Sequence, residues 1–287
     1  MSKKQSKNRK HVKPTEPQKT AATGTSKRRK TVLIAISVLV VVIAVGATGL
    51  MLMKDDPGPV SYTYEILTQY PHSTEDFTQG LFMYKGYLFE STGLRGKSAV
   101  MKKDLRTGQA HLKIDLPEQF FGEGITPSSD RIVQLTWESG IGFVYDINTL
   151  QFKGRFQYEG QGWGITDDGA SLIMSNGSHT LTFLDRNTFQ PFRRVNVHDG
   201  DRLVKHLNEL EYIDGEVYAN VWGTDTIAII NPEDGNVTGW LDLTGLIGMY
   251  SGRHDVLNGI AVNDKTGNLL VTGKLWPKIF EIKLIPR

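Results

Sequence analysis

The stretch FFGEGIT, Phe120 to Thr126, places one acid, Glu123, between two glycines and behind two phenylalanines. Its core, Glu123-Gly124-Ile125, is one copy of a phrase: a polar or aromatic residue, Gly, then Leu or Ile. The other copies are Gln79-Gly80-Leu81, Trp163-Gly164-Ile165, Asn258-Gly259-Ile260 and an imperfect Asn208-Glu209-Leu210. The steps between copies are 44, 40, 45 and 50 residues. A period near 45 residues with several short strands per unit is the mark of a β-propeller.

The text between the copies supports that reading. Each phrase is followed by a β-prone run and a turn, then by a second run: YLFEST, RIVQLTW, SLIMS, EVYANVW and NLLVTG. Turn marks such as YKGY, TDDGAS, YIDGEV and NDKTGN separate the runs. Third runs follow (SAVMKKDL, IGFVYDI, TLTFLDR, TIAIINP, KIFEIKL), and four units add a fourth. The last unit stops at Arg287 without one, and SYTYEILTQYP, Ser61 to Pro71, is free to supply it. The expected fold is all-β, a five-bladed propeller over residues 54–287 closed by its own N-terminal strand. A β-sandwich would leave the recurring phrase unexplained.

Charge divides the chain. Residues 1–31 carry 11 Lys/Arg against the single acid Glu16, and the remainder carries 22 basic and 30 acidic side chains. A mildly acidic body argues against nucleic-acid binding, which needs a basic face. Val32 to Met53 is a run of 22 residues without a charge. As a helix it would span roughly 33 Å, a bilayer's hydrocarbon core. Basic residues precede it, so residues 1–31 are expected as a disordered cytoplasmic tail, 32–53 as a transmembrane signal anchor, and the body outside the cytoplasm. The alternative is a cleaved signal peptide with a poor site near Val45 to Ala47, which would make the body secreted. With no cysteine in the chain, thiol catalysis, thiolate metal sites and disulfides are excluded.

In a propeller the first strand of each blade lines the axis, so residues at one phase of the repeat converge. The converging set is Gln79, Glu123, Trp163, Asn208 and Asn258. A second set lies about fourteen residues later, at the ends of the second strands: Trp137, Trp222 and Lys274, with ESTG and MSNG in the other two slots. On one face the two sets make a cup with aromatic walls, one acid, one lysine and a few amides, the usual form of a small-ligand site. Taken singly, each tryptophan reads equally well as packing between blades, each glycine as structural, and Glu123 as a solvated turn acid. Their coincidence at equivalent positions favours a site.

At these residues the sequence resembles the plant-type glutaminyl cyclases, also found in bacteria. DFTQGL, ESTGL, FFGEGIT, LTW, GWGIT, LNELEY, NVW, DVLNGIA and VTGKLWPKIFEI occur in order from about Tyr62 to Ile285. The resemblance implies a five-bladed propeller that converts the N-terminal glutamine of a peptide into pyroglutamate and releases ammonia. It implies Glu123 as the catalytic acid of GEG, with Asn208 and Lys274 beside it. It assigns Phe77, Gln79, Phe121, Trp137, Trp163 and Trp222 to substrate binding. The partner expected is a peptide or protein N-terminus bearing Gln, and the chain is expected to be a monomer.

No catalytic metal or cofactor is expected: the seven histidines show no HxH or HExxH spacing, and His198-Asp199 and His254-Asp255 read as loop residues. Glu209, in the glycine's place, is left with two roles, binding backbone or holding a structural cation in the channel. The rival functions are a non-enzymatic extracytoplasmic propeller scaffold, which needs no acid at the axis, and a metal-dependent lactonase. The lactonase needs Asp, Asn and His where this chain has Trp.

Overall fold

The middle strands of the body carry apolar doublets rather than an apolar–polar alternation. Leu88-Phe89, Ile132-Val133, Leu172-Ile173 and Leu270-Val271 are all fully buried. Successive side chains on a strand point to opposite faces, so such doublets require both faces of the sheet to be covered. The computed structural model describes residues 58–248, 250–252 and 254–287, and the sheets cover one another in this way. The predicted tail and anchor, residues 1–31 and 32–53, lie outside the described residues. Among the described residues the structure is all-β, and no helix is long and apolar enough to cross a membrane.

Strand β1 runs Val60–Pro71. The first four-stranded unit follows: β2 (Thr78–Tyr84), β3 (Tyr87–Thr92), β4 (Ala99–Lys103) and β5 (Ala110–Asp115). The second comprises β6 (Gly122–Ser128), β7 (Arg131–Thr136), β8 (Ile141–Asp146) and β9 (Phe152–Gln157). The third comprises β10 (Ile165–Asp167), β11 (Ser171–Met174), β12 (Thr180–Asp185) and β13 (Pro191–Asn196). A hairpin, β14 (His198–Asp199) and β15 (Arg202–Leu203), precedes the fourth unit: β16 (Leu207–Ile213), β17 (Glu216–Val221), β18 (Thr226–Ile230) and β19 (Val237–Asp242). The last strands are β20 (Leu257–Val262), β21 (Leu269–Gly273) and β22 (Lys278–Pro286).

Each of the first four units is an antiparallel meander in chain order. The fifth is completed by β1, which pairs antiparallel with β22 from Tyr62↔Pro286 to Pro71↔Lys278. The closure expected from SYTYEILTQYP is therefore present. The same strand also pairs in parallel with β19, from Val60↔Gly239 to Tyr62↔Leu241, which fuses the fourth and fifth units into one eight-stranded sheet. His198-Asp199, expected as loop, is the first arm of the small hairpin, and Asp199 is held there by Arg202 at 2.8 Å and the Trp240 indole at 3.2 Å.

The inner strands touch in cyclic order, β2 to β6 to β10 to β16 to β20 and back to β2. Five apolar clusters match this order, one between each pair of successive units. The doublets explain it: Phe89 faces the second unit with Phe82, while Leu88 faces the fifth with Leu81. Burying five such seams is the main stabilising contribution of the fold.

Candidate active site

At the signature phrases the pairing register slips. The slip falls between Thr78 and Gly80 on β2, Gly122 and Ile125 on β6, Leu207 and Leu210 on β16, and Leu257 and Ile260 on β20. An extra residue on one strand bends it and turns a side chain out of the ladder. Gln79, Glu123, Asn208 and Asn258 are the residues so turned. The glycines serve close approach: a Cβ on Gly80 would lie 2.5 Å from Ile125 N, and one on Gly164 would lie 2.0 Å from Asn208 O. Serines on or just after second strands fix the inner backbones; Ser91 Oγ donates to Glu123 O at 2.5 Å and Ser175 Oγ to Asn208 O at 2.6 Å.

The result is a cavity of about 160 Å³ near the axis. Phe77, Phe121, Trp137, Trp163 and Trp222 form its walls, and Gln79, Glu123, Asn208 and Lys274 supply its polar atoms. All nine residues predicted from the sequence meet there. Phe121 stands edge-on to Phe77, with ring centroids 6.2 Å apart, and edge-on to Trp137 at 5.6 Å. Trp222 is the exposed lip, edge-on to Trp163 at 6.2 Å. Gly93 and Gly177 occupy the ESTG and MSNG slots, and each makes room for a ring: a Cβ there would lie 2.4 Å from Phe121 Cε1 and 2.6 Å from Trp163 Cζ2.

Asn258 does not line the cavity. It stands behind Gln79, its Nδ2 donating to Thr78 O at 3.0 Å and to Gln79 Oε1 at 3.3 Å. That bond turns the Gln79 Nε2 toward Glu123 Oε1, 3.3 Å away. Asn208 Oδ1 is buried without a hydrogen-bond partner among the described residues. Asn220 Nδ2 and Asn258 Oδ1 are buried in the same way, and each such orphaned atom is costly.

Glu123 is buried in this apolar setting, and burial pushes its carboxyl well above the ordinary value, with Lys274 pulling the other way. Burial therefore outweighs the lysine. Lys274 is buried too, its Nζ 4.8 Å above the Phe77 ring, and burial lowers its ammonium against the pull of Glu123 and Asp255. Burial works against the charge on each group, and each charge works in favour of the other's.

Sequence reasoning missed two parts. Gln161 Oε1 accepts from both Trp137 Nε1, at 3.0 Å, and Trp163 Nε1, at 2.9 Å. Behind Phe77 and Gln79 lies a buried charge cluster. Glu90 accepts from Thr78 Oγ1 at 2.7 Å and Lys103 Nζ at 2.6 Å, and pairs with His72 Nε2 at 3.0 Å; Lys103 also binds Asp76. His72, Asp76 and Glu90 have ligand-like spacing, but the Lys103 ammonium already fills a cation's place among them. The cluster ties two wall segments together: Asp76 O accepts the Leu275 N–H at 2.8 Å and Trp276 O meets His72 Nδ1 at 2.7 Å, next to Lys274.

Glu209, left open between backbone and a cation, binds backbone. Its Oε1 accepts from Leu81 N at 3.2 Å and its Oε2 from Ile260 N at 2.9 Å, tying β16 to β2 and β20 across the hub. Burial raises its carboxyl well above the ordinary value and that of Glu211 to about 8.

A buried acid, a lysine and amides under aromatic walls, at the hub of a cyclic all-β body, have the usual form of an enzyme's small-ligand site. The chain belongs to the glutamine cyclotransferase family, whose sequence model matches residues 38–284. It is 44% identical over 227 residues to a glutaminyl-peptide cyclotransferase of Arabidopsis thaliana, covering 77% of this chain and 71% of that protein. The crystal structure of Myxococcus xanthus glutaminyl cyclase superposes with a TM-score of 0.75 at 35% identity, covering 80% of this chain and 99% of that one.

Proposed function

We propose that the pocket cyclises the N-terminal glutamine of peptides and proteins to pyroglutamate, with Glu123 as the proton shuttle. The supporting observation is the convergence of nine side chains from five units around a buried carboxyl of raised pKa. We read the cyclic order of the units as a five-bladed propeller, with the pocket at one mouth of its axis.

The substrate's α-amine must attack the side-chain amide carbon of the same residue. The reaction is intramolecular, so holding that residue folded supplies much of the acceleration. The rings of Phe77, Phe121, Trp137 and Trp163 are the surfaces that hold it. The Glu123 carboxylate takes a proton from the α-ammonium; its raised pKa suits it to this exchange with an amine of pKa about 7.7–8.0. The neutral amine then forms the new C–N bond while the carbonyl π electrons move to oxygen. Lys274, Gln79 and Asn208 are the donors for that oxyanion. Glu123 returns the proton to the carboxamide nitrogen, the carbonyl re-forms, and the old C–N bond breaks to release ammonia. The surplus proton on the ring nitrogen passes to Glu123 and out to solvent.

The N-terminal segment fits a single-pass anchor that holds this activity outside the cytoplasm. The rival scaffold reading needs no acid at this point. Ammonia release from a Gln-initiated dipeptide separates the two: the wild type turns over, and Glu123→Gln loses at least 10²-fold in kcat while still binding the dipeptide. An unchanged kcat in Glu123→Gln would remove the shuttle.

A further inference from the structure

We propose that Gln161 is a positioning residue of the reaction, a clamp that fixes two catalytic-pocket indoles through a single oxygen. The inference rests on the cyclase reading of the pocket and extends it to a residue outside the lining.

Trp137 follows the second strand of one unit and Trp163 precedes the first strand of the next, so no secondary structure holds them in common. Their N–H groups meet on Gln161 Oε1, at 3.0 and 2.9 Å. An indole nitrogen can only donate, so the atom between them must be the amide oxygen. The backbone around the clamp is fixed as well. Gly162 N donates to Trp137 O at 3.0 Å, and Trp163 N to Ser175 O at 3.0 Å. A Cβ on Gly162 would lie 2.6 Å from the Tyr158 hydroxyl, which itself bonds to Thr136 next to Trp137.

The clamp has a chemical consequence. The polar tips of Trp137 and Trp163 are both taken up by Gln161, which is outside the lining, so these two walls offer aromatic surface and no free N–H to substrate or water. The glutamine stem then meets two rigid planes, and the polar ends of the residue are left to Glu123, Asn208, Gln79 and Lys274. Freed from Gln161, each indole would turn its N–H toward another acceptor, and the gap between the planes would change.

The repeat gives independent support. Gln161 stands two residues before Trp163, as Phe77 stands before Gln79 and Phe121 before Glu123. This phase supplies wall rings in two units. In the third it supplies the group that orients the rings.

The test compares Gln161→Met, which keeps the volume and loses the acceptor, with Gln161→Glu, which keeps an oxygen there. Steady-state ammonia release from a Gln-initiated dipeptide is read together with intrinsic tryptophan emission. Gln161→Met should raise KM roughly tenfold with kcat within about threefold, and shift the emission maximum. Gln161→Glu should restore KM to within about threefold of wild type. In a Trp163→Phe background, which already lacks one N–H, Gln161→Met should cost less than in the wild type. Wild-type KM and emission in Gln161→Met, or equal costs in both backgrounds, would overturn the clamp. Failure of the wild type to release ammonia would instead sink the cyclase reading, while emission still tests the clamp.

Discussion

Gly93→Ala is a sharp probe of the pocket, because the added methyl enters from behind a wall rather than from the cavity. The Cβ would lie 2.4 Å from Phe121 Cε1 and 2.6 Å from Cζ, where ordinary contact begins at 3.4 Å. The ring must therefore retreat by about 1 Å. It cannot do so alone, since Phe77 and Trp137 pack against it at 6.2 and 5.6 Å. Overpacking of this kind costs ~1–3 kcal/mol, and the lost freedom of the unfolded glycine returns ~0.4–1 kcal/mol. The net loss, about 1.3 kcal/mol at mid-range, lowers Tm by roughly 3–5 °C for a body of this size. Activity should suffer more, because a misplacement near 1 Å in a positioning wall can cost about 10²-fold. Gly154→Ala is the control, since its Cβ meets nothing within 4 Å. The assays are kcat/KM for ammonia release and thermal melting of both variants. If Gly93→Ala kept kcat/KM within threefold and melted with Gly154→Ala, the reasoning from Phe121 would be wrong.

The other predictions concern buried charge. In the folded protein the Glu123 carboxyl titrates well above its value in the unfolded chain. Below the unfolded value, about 4.3, both states hold the proton and no stability is at stake. As pH rises past it, the unfolded chain releases the proton first and the folded state loses ground until its own pKa is passed. Glu123→Gln should thus melt close to wild type near pH 4 and increasingly above it toward neutral pH, and a gap that closed instead would refute the assignment. Glu90→Gln strips Lys103 and His72 of their common buried partner and should cost ~3–5 kcal/mol in urea unfolding. A loss below 1 kcal/mol would mean the cluster does not brace the wall.

Much of the fold was readable because both faces of each sheet are buried. YLFEST matches Tyr87–Thr92 residue for residue, and RIVQLTW exceeds Arg131–Thr136 by one. Apolar doublets between turn residues leave little freedom in where a strand begins. The pocket was readable for a different reason: the repeat assigns residues far apart in the chain to one rotational phase. What escaped had neither signal. The hairpin of His198–Asp199 and Arg202–Leu203 is too short to show a period, and it exists because Trp240 and Arg202 reach Asp199. Gln161 reads as a turn residue until two indoles are seen to share its oxygen. Glu90 lies in the repeated ESTG stretch, but His72, Asp76 and Lys103 carry no repeat signal, and only folding shows that the four meet. Asn258 was at the right phase but one layer back, since Gln79 fills the space in front of it.

The strand that completes the fifth unit, Val60–Pro71, is the earliest described segment of the body, while its antiparallel partner, Lys278–Pro286, is nearly the last. During synthesis that antiparallel pairing must wait until Lys278–Pro286 has left the ribosome, although Val60–Tyr62 can meet β19 earlier. The ring cannot be clasped before then, so the working pocket waits on its last strand. A chain cut before Lys278 would lose its latch and leave an open edge for a neighbour to occupy.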